Sequence, residues 1–219
     1  MPYPRPASIS VTRPAVGIAL LIYVLMWTGF SHHWPIIHTV DGALLAAAHD
    51  VGAAHPGWVT FWAAVSWALG PVPLRLIGVV GALVALLKRR VRTSLLLVVC
   101  LPLNWVVTTV AKNLAHRPRP STAFVHLHSA SFPSGHALEA TASILALLTA
   151  ILPWLGATAR SVAVTVGCTA VVLVGISRVA LNVHYPSDVI AGWALGYVYF
   201  ALAIWVIRPA REQVQITAQ

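Results

Sequence analysis

Six stretches of this chain, residues 16–30, 72–87, 93–111, 137–155, 161–176 and 189–207, hold at most one charged residue each. With polar flanks that reach outward, each is long enough to cross about 30 Å of hydrocarbon. In lipid the backbone must satisfy its own polar groups, so a chain built this way crosses as helices. Composition agrees: at 58% hydrophobic and 9% charged, 219 residues cannot coat a water-soluble globule. The expected fold is an all-α integral membrane protein with six transmembrane helices. It reads as one membrane domain over residues 1–219, with a core at about 41–208 and short tails.

A net charge of +9 could point to nucleic acid, but the basic residues sort by side of the membrane. Arg5, Arg13, Lys88, Arg89, Arg90, Arg92, Arg160, Arg208 and Arg211 fall at ends that six crossings place together, which the positive-inside rule makes cytoplasmic. Both termini are then cytoplasmic and the partner is the bilayer, with no nucleic acid. Residues 50–70, with Trp58, Phe61, Trp62, Val65 and Leu69 at helical spacing, are too short after Pro56 to cross and read as a helix in the outer interface. The first apolar run has no small-x-small cleavage site at residues 29–33 and reads as a retained anchor. Cys100 and Cys168 lie among apolar residues and are expected to be buried free thiols.

Five basic residues remain for the outer side: Arg75, Lys112, Arg117, Arg119 and Arg178. Four of them sit in or beside two short loops that emerge together. KNLAHRPRP (112–120), SFPSGHA (131–137) and SRVALNVHYPSD (177–188) hold nearly all the polar chemistry of that face. Lys112, Arg119 and Arg178, with Ser134 and the free N–H groups of Gly135 and His136 at a helix start, suit a phosphate: forked guanidinium donors, a point-charge ammonium and a helix dipole. Asp188 follows His184 by four residues and can orient its ring, leaving one nitrogen free to attack phosphorus. His136 is placed to protonate the leaving oxygen.

In order and spacing these stretches resemble the three motifs of the type 2 phosphatidic acid phosphatase superfamily, K-x6-R-P, P-S-G-H and S-R-x5-H-x3-D. The likeness runs from about Asp41 onward. It implies a six-helix membrane phosphatase with its site at the outer leaflet, a phosphohistidine on His184, and neither metal nor cofactor. The same pocket occurs in soluble vanadium haloperoxidases, a form this hydropathy excludes. Implied substrates are lipid phosphates in a bacterial cell (inner) membrane: polyprenyl diphosphate, phosphatidate or phosphatidylglycerol phosphate. A lipid phosphotransferase would use the same residues, and a non-catalytic lipid-phosphate binder or transporter would need the cations but not an aligned His184.

Other polar residues carry weaker signals. His32, His33, His38, His49 and His55 read as structural, and His126 with His128 forms an H-x-H that lacks a third ligand. Arg117 and His116 are not specified by the motif and read as loop residues facing lipid phosphate. Only five acids occur, too few near the motifs for a two-metal site. Glu139, three residues past His136, has two readings: a carboxylate offsetting the helix dipole in interfacial water, or a neighbour whose charge helps His136 hold its proton.

Overall fold

The computed structural model describes residues 9–125 and 129–207. It holds nine α-helices among the described residues: α1 (Arg13–Ser31), α2 (Pro35–Ala54), α3 (Pro56–Ala68), α4 (Pro71–Leu87), α5 (Val91–Cys100), α6 (Trp105–Ala115), α7 (Gly135–Ile151), α8 (Ala157–Ala180) and α9 (Pro186–Ile207). Proline stands in the first turn of α1, α2, α3 and α4, where its missing N–H costs nothing. Among the described residues six spans are long and apolar enough to cross a membrane: α1, Pro56–Leu87, Val91–Ala115, Gly135–Trp154, α8 and α9.

Two of these differ from the sequence expectation. Instead of one short helix between the first two crossings there are two, α2 and α3, and α3 runs on with α4 as the span Pro56–Leu87. α2 is held from the side: Asn182 donates from Nδ2 to its Leu45 carbonyl (2.8 Å). α3 packs at the C-terminal end of α8, where Trp62 packs with Ala180, Leu181 and Val183 and Trp58 Nε1 donates to the Ala180 carbonyl (3.3 Å). It then turns at Leu69–Gly70 into α4.

The third crossing is broken between α5 and α6. Pro102 has no N–H for the Val98 carbonyl, and Leu103 N takes that acceptor instead at 3.2 Å. The stranded Cys100 carbonyl accepts from Asn104 Nδ2 (2.8 Å) and Ser143 Oγ (3.2 Å). Side chains thus replace the lost backbone bonds, as a break within a membrane requires. Before the break, α5 packs closely on α4 through small residues, with Gly78 against Leu101 and Gly81 against Leu97. After it, α6 packs on α7.

α9 is the axis of the bundle, packing along both α1 and α7. Gly192 and Gly196 admit α7 to backbone contact: a Cβ at 192 would stand 2.6 Å from the Ser134 carbonyl oxygen, and one at 196 would stand 2.5 Å from that of Leu138. Phe132, fully buried, ties the loop before α7 to Tyr23, Trp27 and Phe30 of α1. Of the two thiols, Cys100 is buried as expected, whereas Cys168 is exposed on the outer surface of α8. The apolar surroundings of Cys168 are those of a lipid-facing position, which sequence alone does not tell from a core one.

The α7–α9 contact gives the first prediction. Gly192→Ala forces its methyl against a backbone oxygen that cannot rotate away, and should destabilise by about 1–3 kcal/mol. Thermal unfolding in detergent should show a clear drop in Tm, against no change in Gly17→Ala, where the added Cβ meets nothing within 4 Å.

Candidate active site

The three sequence stretches meet at one end of the bundle, where α6 and α8 finish and α7 and α9 begin. Lys112 sits in the last turn of α6, which ends on His116 in the left-handed region (φ 49°). That reversal sends Arg117 and Arg119 back across the bundle. Arg178 ends α8, His184 lies in the short connection to α9, and Asp188 is in the first turn of α9. The two helix starts are stitched together by Ser134 N donating to the Asp188 carbonyl (2.9 Å).

His184 has a defined tautomer. Arg119 Nη1 donates to the Val183 carbonyl (2.7 Å) and lies 3.2 Å from His184 Nε2. A guanidinium only donates, so Nε2 presents its lone pair and Nδ1 carries the proton. Nδ1 faces Ser131 Oγ (3.5 Å) and Asp188 Oδ2 (3.4 Å), both longer than an ordinary N–H···O bond. The expected link from Asp188 to the ring therefore runs largely through Ser131, whose hydroxyl donates to Asp188 Oδ2. Burial, then the charges of Lys112, Arg178 and Arg119, hold the His184 imidazole well below its ordinary value of 6.5, so it is neutral at neutral pH.

The other expected cations, Lys112 and Arg178, are near enough for their charges to act on the His184 ring. Lys112 Nζ donates to the Ala130 and Ser131 carbonyls, and Arg178 Nη1 donates to Ser66 Oγ of α3. Ser134 is the N-cap of α7, yet its hydroxyl makes no cap bond. Ser134 Oγ and Arg178 Nε are both buried without a partner. Buried polar groups are rarely left so, and a ligand with acceptor oxygens would satisfy Arg178 Nε. A Cβ on Gly135 would strike Thr108 Cγ2 at 2.8 Å and stand 3.6 Å from Lys112 Cε, so only glycine lets the helix start meet α6. His136 is half-buried, with the α3–α4 corner at Gly70 against its ring.

The support behind Asp188 escaped the sequence reading. Arg117 does not face lipid: it is buried, donating from Nη1 to Asp188 Oδ1 (2.5 Å) and Ser187 Oγ (2.8 Å), and from Nη2 to Asp41 Oδ2 (2.8 Å). Its guanidinium stacks on Tyr185 at 3.9 Å and lies 4.8 Å from the Phe30 ring centroid. Asp41 in α2 also accepts from Ser187 N (2.9 Å), an orphan N–H of the α9 start. One signal for Asp41 was present, an acid on a face otherwise crowded with cations. Ser66 carried none.

Glu139 is buried, and its carboxylate pairs with Arg75 of α4 at 2.5 Å. The interfacial-water reading does not hold. This pair also supplies the local reason for Arg75, the one outer cation not beside the two loops. Among the described residues no three His, Cys, Asp or Glu side chains converge as a metal site; His126 and His128 lie outside the described residues.

Comparison with known proteins follows the same lines. A family model, the PAP2 superfamily, matches residues 93–212. Phosphatidylglycerophosphatase B of Bacillus subtilis is 38% identical over 118 residues, 52% of this chain and 58% of that protein. An undecaprenyl-diphosphatase of Sulfolobus acidocaldarius is 32% identical over 124 residues, 53% of this chain and 56% of that one. The chain thus spans little more than half the length of the curated relatives it matches. The crystal structure of a transmembrane PAP2-type phosphatidylglycerolphosphate phosphatase from Bacillus subtilis superposes with a TM-score of 0.74 at 25% identity, covering 93% of this chain and 99% of that one.

Arg117→Ala strands two buried carboxylates, a change that typically costs about 3–5 kcal/mol. Arg117→Lys keeps the charge but cannot fork between Asp41 and Asp188, and should fall between wild type and alanine. Thermal unfolding of the three proteins in one detergent checks the order; equal Tm values would show that the bridge contributes little.

Proposed function

Because the chain belongs to the PAP2 superfamily, we propose that it is a membrane-embedded lipid phosphatase, hydrolysing a phosphomonoester or diphosphate of a lipid through a phosphohistidine on His184. One observation carries the reading: a neutral His184 whose Nε2 faces Arg119, with the charges of Lys112 and Arg178 acting on the ring, while Nδ1 is backed by Ser131 and Asp188. The cations and the α7 start hold the phosphate oxygens, with Ser134 and Gly135 at the helix end. Nε2 forms a bond to phosphorus as the bond to the leaving oxygen breaks, and His136 is the group that supplies that oxygen with a proton on this reading. Water then cleaves the P–N bond and restores His184. No step calls for a metal.

Polyprenyl diphosphate, phosphatidate and phosphatidylglycerol phosphate remain the candidate substrates. On this reading the protein sits in a bacterial inner membrane with both termini cytoplasmic and the site on the periplasmic face, as the sorting of its basic residues suggests. A lipid phosphotransferase differs only in the acceptor, and products formed with and without added alcohols separate the two. A non-catalytic lipid-phosphate binder or transporter would release no phosphate.

Detergent-purified protein offered these lipid phosphates should release inorganic phosphate, in excess EDTA as well as without it. His184→Ala should abolish release. Activity that vanishes with EDTA and returns with Mg²⁺ would sink the histidine mechanism.

The lowered proton affinity of His184 sets the pH profile. Protonation removes the lone pair, and the folded site holds the imidazole below 6.5, so the nucleophile stays competent well below that pH. The acid limb of kcat/KM should lie below pH 6.5, and a limb at or above it would contradict the burial and cation effects described.

Sidedness is testable by thiol labelling of intact cells in a cysteine-free background. Cysteine at Ser121 should react with an impermeant reagent and cysteine at Arg90 should not; the reverse pattern would invert the topology.

A further inference from the structure

Arg75 is the one outer cation outside the phosphate pocket and the Asp188 support. It stands about one turn below Gly70 on α4, and Gly70 lies against the His136 ring. Its partner Glu139 is three residues beyond His136 on α7, on the same helical face and a turn deeper into the membrane. A Cβ on Gly135 would lie 3.8 Å from Glu139 Oε1 and 3.6 Å from Lys112 Cε, so this ion pair adjoins the phosphate pocket directly.

The pairing with Glu139 leaves much of Arg75 unused. One nitrogen, Nη2, bonds Glu139, while Nε is buried with no partner and 35% of the side chain remains exposed. An arginine set into a membrane span needs more polar company than one carboxylate, and intramembrane charges serve function by default. α4 packs on α5 and on α7, and α6 packs on α7. Glu139 of α7 is therefore within reach of Thr108 of α6 as well as Arg75 of α4.

We infer that Arg75 binds the phosphate that stays with the lipid, making this enzyme selective for lipid diphosphates. This rests on the phosphatase reading above. With the terminal phosphorus in line with His184 Nε2, the bridging oxygen leaves on the His136 side, toward α4. The N–P bond forms, the P–O bond to the bridging oxygen breaks, and its electron pair goes to the departing lipid monophosphate with the His136 proton. Hydrolysis of the P–N bond then yields inorganic phosphate. A departing phosphate carries charge that a neutral alcohol does not, and a guanidinium one turn below His136 compensates it with forked donors. Glu139 fixes the orientation of that guanidinium.

The test compares farnesyl diphosphate with farnesyl phosphate, which share a tail, on full-length enzyme in a detergent free of phospholipid. In Arg75→Gln the ratio of kcat/KM for diphosphate over monophosphate should fall about tenfold, the scale of one charge-assisted hydrogen bond. Arg75→Lys should fall less. Arg75→Gln with Glu139→Gln leaves no unpaired buried carboxylate and should show the same fall, which guards against mere misfolding. A parallel loss on both substrates in the double variant would make the ion pair structural and overturn the proposal. A ratio that shifts only when anionic phospholipid is added would mean that Arg75 reads a neighbouring headgroup, and would overturn it equally. If wild-type enzyme hydrolyses neither probe nor any other lipid phosphate, the phosphatase reading itself fails, an outcome distinct from both.

Discussion

Every motif in this structure is positioned by a guanidinium that two carboxylates hold from opposite sides. Arg117 joins Asp41 of α2 to Asp188 of α9, and through Asp188 it reaches Ser131, His184 and the start of α7. Burying such a group costs several kilocalories unless its donors are used, and here three acceptors and the Tyr185 ring use them. The result is a rigid back wall. Across from it Arg178 keeps a buried Nε without a partner, so the cluster is braced behind Asp188 and unsatisfied at Arg178.

The burial of Asp188 and Arg117 also explains how a chain with little polar surface tolerates so much charge at the edge of hydrocarbon. Charges are paired across elements far apart in sequence: residue 117 with 41, and 75 with 139. The 75–139 pair closes the α4–α7 contact, and Arg117, from the loop after α6, ties α2 to the start of α9; apolar side chains alone would leave such contacts unspecific, because lipid tails compete equally well for them.

Much of this was legible beforehand. Six crossings followed from the apolar runs, and the grouping of Lys112, Arg119, Ser134, His136, Arg178, His184 and Asp188 was expected from two loops on one face and from the family motifs. What escaped was set by tertiary contact. α2 has two glycines, two acids and two histidines within Pro35–Ala54 and no strong periodic stripe, and its docking rests on bonds to Ser187, Arg117 and Asn182 that no local pattern encodes. The break at Pro102 was masked by apolar residues that run on unchanged through it. Arg117 was read as a headgroup contact because its partner lies 76 residues away.

The exposure of Cys168 has a practical bearing on chemical modification. This chain has two cysteines, and Cys100, fully buried in the α4–α5–α7–α9 core, is closed to reagents in the folded state. A membrane-permeant thiol probe therefore reads one position, the middle of α8, and does so from the acyl-chain side. Any loss of turnover it causes reports on the bilayer-facing surface rather than on the catalytic groups, and the native sequence already carries a single-site reporter for spectroscopy within the membrane.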